Sequence, residues 1–185
     1  YRLFWDEFSS WYLEMIKPAY GQPIDKKTYG MTLEYFDALL RLLHPFMPFI
    51  TEELWQHLAE RKEGESIMNA LIPQSRDIVQ NVLDAMECAK EVVIGVRGVR
   101  AAKNIAPKEK LELNVLGEFD SSLYAVIEKL ANLSSINSTT EKDASAASFM
   151  VGTTEFNVPL ANNIDVEAEL AKLSKDLEYY KGFRE

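Results

Sequence analysis

The chain has 185 residues, 47% apolar and 11% aromatic, enough to bury the core of one or two domains. Its formal net charge of -9 argues against binding nucleic acid through overall charge, and its single cysteine, Cys88, excludes an internal disulfide or a zinc site of paired cysteines. No run approaches the ~18 to 20 apolar residues of a membrane span, and Tyr1–Lys17 lacks the regions of a signal peptide, so a cytoplasmic protein is expected.

Leu3, Phe4, Phe8, Trp11, Tyr12, Met15 and Ile16 are spaced as one face of an amphipathic helix, which Pro18 and Gly21 close. Tyr1 already falls in that pattern with no capping residue before it, so the helix is expected to begin further upstream in a longer parent. Leu33, Phe36, Leu40 and Leu43, widened by Leu39, predict a second helix that Pro45 and Pro48 interrupt. Thr51 is placed to cap a third, with Glu52 and Glu53 in its first turn and Leu54, Trp55 and Leu58 facing inward. These three helices would form a bundle with Phe46, Phe49 and Trp55 in its core, and core packing is also the reading for Trp5 and Trp11. Beyond a loop bracketed by Gly64 and Pro73, the pattern Ile78, Val82, Ala85, Ala89, Val92, Val96, Val99 marks a longer helix from about Asp77 to Lys103, with Gly95 and Gly98 as weak points.

From Pro107 the period changes to two. Leu111, Leu113 and Val115 alternate with Glu112 and Asn114 as a half-buried strand. Leu123, Val126, Ile127 and Leu130 predict a short helix, and Phe149–Val151 and Phe156–Val158, separated by Gly152 and Thr153, a hairpin. Ser134–Ser148 is rich in Ser, Thr and Ala and carries no clear strand limits. Val166, Leu170, Leu173 and Leu177 then form a heptad seam over Asp165 to about Lys181, too short for an isolated coiled coil. The fold class is therefore mainly α with a small α/β unit: a helical domain over 1–106, a strand-containing subdomain over 107–160, and the start of a coiled-coil arm over 161–185.

Six basic residues, Lys90, Arg97, Arg100, Lys103, Lys108 and Lys110, stand against two acids between 90 and 110. Lys90, Arg97 and Arg100 fall within roughly 80° of one another on a helical wheel, and Lys108 and Lys110 follow after the turn, so all six, Lys103 included, are candidates for meeting RNA phosphates; the bland alternative is a solvated helix face with intrahelical pairs. Asn104 is read as a helix C-terminal cap before a base contact. His44 lacks a nucleophile or second ligand nearby, His57 has only Glu53 one turn before it, and Cys88 reads as an inert buried thiol. No catalytic constellation, metal site or Gly-rich phosphate loop is found in the sequence.

The segment LRLLHPFMPFITEELWQHL, Leu40–Leu58, resembles the hallmark of the anticodon-binding domain in class I aminoacyl-tRNA synthetases for valine, isoleucine, leucine and methionine. FWDEFSSWYLEMIKP, Phe4–Pro18, is similar to the helix preceding it there. Within that group, IGVRGVRAAKNIAPKEKLEL, Ile94–Leu113, SIMNALIP, Ser66–Pro73, and VPLANNIDVEAELAKLSKDL, Val158–Leu177, resemble the valyl-tRNA synthetases, the last as entry to a C-terminal coiled-coil arm. The resemblance covers nearly the whole chain.

It implies a C-terminal fragment of an enzyme that attaches valine to its tRNA using ATP and Mg. The HIGH and KMSKS motifs that carry this chemistry are absent from these residues, so the fragment itself is expected to be non-catalytic and to need no cofactor. Its expected partners are valine tRNA and the catalytic domain of the same polypeptide, with no membrane and a monomeric state. The alternatives are a scaffold bracing the catalytic domain and the arm, or the equivalent domain of an isoleucyl- or leucyl-type enzyme.

Overall fold

A computed structural model describes residues 1–75, 77–141, 143 and 146–160, together with 174, 177, 179 and 181. Two compact units divide at Ile78 and Val79. Of the heptad seam, Val166, Leu170 and Leu173 lie outside the described residues.

In the first unit the amphipathic segment forms a π-helix, Leu3–Tyr12, that tightens into one α-turn, α1, Leu13–Ile16. Its i, i+5 spacing is seconded by Ser9 and Ser10, whose hydroxyls donate to the carbonyls of Phe4 and Trp5. Phe8 stacks on Phe36 of α2, Lys26–Leu43, at 5.9 Å between ring centroids. Asp25 caps α2 by accepting from Thr28 N at 2.9 Å, and the bonds it receives from Thr28 hold its carboxyl below the usual range.

The third helix, α3, is Pro48–Leu58, one turn earlier than Thr51 as cap would allow. Proline fits the first helical position because its φ is already helical and its missing N–H has no partner there in any case. Thr51 is instead inside the helix, donating to Met47 O at 2.8 Å and paired with His44 Nδ1 at 2.8 Å. Leu40, Trp55 and Ile67 make the buried centre, with Phe36, Leu58 and Ala70 against it. The Trp55 indole N–H donates to Asp37 Oδ1 at 2.7 Å, Asp37 pairs with Arg41, and the Arg61 guanidinium lies 3.5 Å from the Trp55 ring centroid. Glu52 fixes the following loop by accepting from Ser66 Oγ at 2.7 Å and Ile67 N at 3.2 Å.

The expected aromatic core is only partly present. Trp55 is buried and Trp11 half-buried, but Trp5, Phe46 and Phe49 are 56%, 82% and 91% exposed. The two phenylalanines flank the start of α3, where the bend at Pro45 and Pro48 turns them off the face that Trp55 shares with Leu40.

In the second unit, α4, Gln80–Ala102, lies against a four-stranded sheet of order β2-β1-β4-β3, with β1 Leu111–Leu116, β2 Leu133–Thr139, β3 Ala147–Val151 and β4 Thr154–Val158. A further helix, α5, Tyr124–Ala131, connects the parallel pair β1 and β2, while β4 is antiparallel to both β1 and β3. Strand β1 alternates as predicted, with Leu111, Leu113 and Val115 buried. Gly152 takes a φ of 57° at the first position of the tight β3–β4 turn, a place that favours glycine. Because α4 packs on α5 and on the sheet, this helix falls in the compact unit that begins at Val79, together with the strands.

Candidate nucleic-acid interface

The six basic residues between 90 and 110 do not share one surface. Lys90 is 8% exposed and its ammonium meets Glu87 Oε1 at 2.9 Å. Arg100 is 6% exposed, and its guanidinium donates to Ala106 O at 3.2 Å, Ala131 O at 3.1 Å and Asn132 O at 2.9 Å. Burial lowers its pKa from the ordinary arginine value, with Glu109 acting in the opposite sense. Arg97 is exposed and donates to Leu130 O at 3.1 Å. Lys108 and Lys110 are exposed and Lys103 is half-buried.

The reason lies in the helix wheel. At ~100° per residue, Arg100 sits about 20° from Val93 and about 40° from Val96, both fully buried, so it belongs to the inward stripe Ala89, Val93, Val96. The 4, 3 and 4 spacing of Ala89, Val93, Val96 and Arg100 was the sequence signal for this placement. Cys88 is exposed instead of buried, since the fully buried face of α4 begins only at Ala89.

Asn104 ends α4 as read from the sequence, with φ 54°. Ile105 N donates to Arg100 O at 2.9 Å and Asn104 N to Ala101 O at 3.4 Å, the paired bonds of a Schellman motif, and Ile105 is buried as its apolar partner. Sequence reading missed Asn132. This residue, also left-handed at φ 52°, ends α5 and sends its side-chain amide to Pro107 O at 2.9 Å and Glu109 O at 3.2 Å. An asparagine two residues past Leu130 of the predicted short helix, a residue type that tolerates the left-handed conformation, was its only sequence signal.

The first unit has a different surface. Tyr1, Leu3, Phe4, Leu39, Leu42, Leu43, Phe46 and Met47 line an apolar cavity of about 410 Å³. Tyr1 and Trp5 stack beside it at 6.4 Å. His57 makes only an exposed pair with Glu53 at 3.4 Å. Among the described residues no group of three His, Cys, Asp or Glu side chains is placed to hold a metal ion, and no helix is long and apolar enough to cross a membrane.

One unit carries the proline-bent α2–α3 corner, and the other lays a helix on a small mixed sheet. Residues 1–115 match the anticodon-binding domain of tRNA ligase, and the chain belongs to that family. It is 62% identical over 183 residues to the valine–tRNA ligase of Parabacteroides distasonis, covering 99% of this chain and 21% of that protein. The valine–tRNA ligases of Phocaeicola vulgatus and Christiangramia forsetii are 58% and 40% identical, each over 99% of this chain and 21% of their own length. The chain thus spans about a fifth of the length of the curated relatives it matches.

Proposed function

We propose that this chain is the tRNA-binding portion of a cytoplasmic valine–tRNA ligase, holding valine tRNA while ATP- and Mg-dependent charging takes place elsewhere in the same polypeptide. The observation that carries the reading is the anticodon-binding domain match over 1–115 together with valine–tRNA ligases 40% to 62% identical along 99% of the chain. Those relatives support valine over the isoleucine or leucine alternative. In this reading the fragment is a monomer and turns over no ATP by itself. Base contacts to the anticodon set specificity, and phosphate contacts set register.

Of the six basic residues, Arg97, Lys103, Lys108 and Lys110 remain the candidates for those phosphate contacts; Lys90 and Arg100 are turned inward. The test is fluorescence anisotropy of the 185-residue chain with valine tRNA and with an anticodon-swapped version of it, across a salt series. Tighter binding to the authentic anticodon is expected. Equal, salt-sensitive affinity would reduce the role to phosphate positioning or bracing, and no binding at low salt would refute the reading.

A further inference from the structure

The connection between α4 and β1 places Lys103, Lys108 and Lys110 within eight residues of a chain whose net charge is -9. It is braced from beneath. Arg100 takes the carbonyl of Ala106, and the Asn132 amide takes those of Pro107 and Glu109. A further bond inside the loop runs from Glu109 N to Ala106 O at 3.1 Å, and Ile105 is buried as a plug.

Two consequences follow for charge. The carbonyls of 106, 107 and 109, the negative ends of their peptide dipoles, are directed at donors on the protein side, while Lys108 and Lys110 are left to solvent. The guanidinium under the loop is bonded to three neutral carbonyls and, among the described residues, no ion pair to Arg100 is found; Glu109 acts on it electrostatically, so the one acid of the loop offsets one of its four nearby cations and leaves the region basic.

We propose that loop 103–110 is a docking surface for the phosphodiester backbone of RNA, and that Arg100 and Asn132 are positioning residues that hold its shape without touching the RNA. Lysines suit this task because they meet phosphates as point charges without reading sequence, and a loop already ordered before binding loses less entropy on docking. The inference rests on the tRNA-binding reading above.

Both claims are tested on the full chain with valine tRNA over a salt series. In the variant Lys103→Gln/Lys108→Gln/Lys110→Gln, whose side chains are not in the core, the slope of log affinity against log salt becomes shallower by about 2 to 3, at about 0.7 to 0.9 for each phosphate no longer neutralised. Asn132→Gly keeps the left-handed backbone, which glycine adopts freely, and alters no charge, but removes the bonds to Pro107 and Glu109. It should raise Kd by about three- to tenfold, the cost of ordering a loosened loop on binding, with an unchanged salt slope, a thermal midpoint lowered by a few degrees and faster amide exchange over 105–110. A triple variant that keeps the wild-type slope overturns the docking surface. Wild-type affinity in an Asn132→Gly chain with faster exchange overturns the positioning role. A wild-type chain that binds no tRNA at low salt removes the underlying reading, an outcome distinct from both.

Discussion

Replacing Gly95 by alanine probes how closely α4 lies on the sheet. A Cβ at this position would overlap Cε2 and Cδ2 of Phe149 and stand 2.9 Å from Cζ, inside the distance real Cβ atoms tolerate. The ring is half-buried and can move aside only by disturbing its stack on Phe156 at 5.4 Å, where Phe156 is buried with Phe119 edge-on against it at 5.3 Å. Such overpacking costs about 1–3 kcal/mol. Against it stands the helix-propensity gain of alanine over glycine, about 0.8–1.0 kcal/mol. Gly98, three residues along the same helix, would meet nothing within 4 Å, so Gly98→Ala receives the propensity gain alone. The two variants share that gain, and their stability difference, about 1–3 kcal/mol with Gly95→Ala the weaker, isolates the clash. Urea unfolding followed by far-ultraviolet circular dichroism measures it. Phe149→Ala in the Gly95→Ala background should recover part of the loss through a coupling of about 1 kcal/mol. Equal midpoints for the two glycine variants would refute the packing argument.

Asp37→Ala leaves the buried Trp55 indole N–H without its acceptor and separates Arg41 from its carboxylate, so it should destabilise the first unit by about 1–3 kcal/mol; an unchanged urea midpoint would show the network to be ornamental. The Glu52 carboxyl is held below its ordinary pKa, chiefly by the bond from Ser66 and then by that from Gln56. A folded-state pKa lower than the unfolded one contributes stability that is full above about pH 4.3 and fades as pH falls through the folded value. Glu52→Gln should therefore flatten the loss of stability on acidification below about pH 5, and a variant as acid-sensitive as wild type would count against this. Cys88, exposed on α4, should be alkylated by iodoacetamide in the folded protein, whereas labelling only after addition of urea would contradict its placement.

The residues that sequence placed well were those with one buried face and a regular period. Leu111, Leu113 and Val115 alternate because β1 covers its core on one side only, and the Gly152–Thr153 turn joins two strands of five residues each, with Phe149 paired to Phe156. Strand β2 escaped detection for the converse reason: it is an edge strand, paired with β1 alone, and Ser134, Ser135, Asn137 and Ser138 give it no apolar rhythm. Phe46 and Phe49 show that an aromatic side chain signals burial only when the backbone aims it inward, and the two prolines that fix the bend aim these outward. The basic stretch was legible as a cluster in sequence but not as a surface. A helix face is defined by what packs against it, and Arg100 shares its face with Val93 and Val96.

Net acidity and phosphate binding are compatible because screening separates them by distance. At about 0.1 M salt the Debye length is about 10 Å, so an approaching phosphate responds mainly to the charges nearest loop 103–110, Glu109 among them; at about 0.01 M it extends to about 30 Å, and more of the charge of a chain whose net charge is -9 is felt. Counterion release strengthens binding as salt is lowered, while the unscreened acidic surface opposes it. For a basic loop in an acidic protein, the plot of log affinity against log salt should therefore flatten or turn over at the low-salt end. A uniformly basic RNA-binding domain would give a straight line. The shape of that curve distinguishes a local docking surface from attraction by the whole molecule, and the triple lysine-to-glutamine variant should lose the steep high-salt limb while keeping the low-salt repulsion.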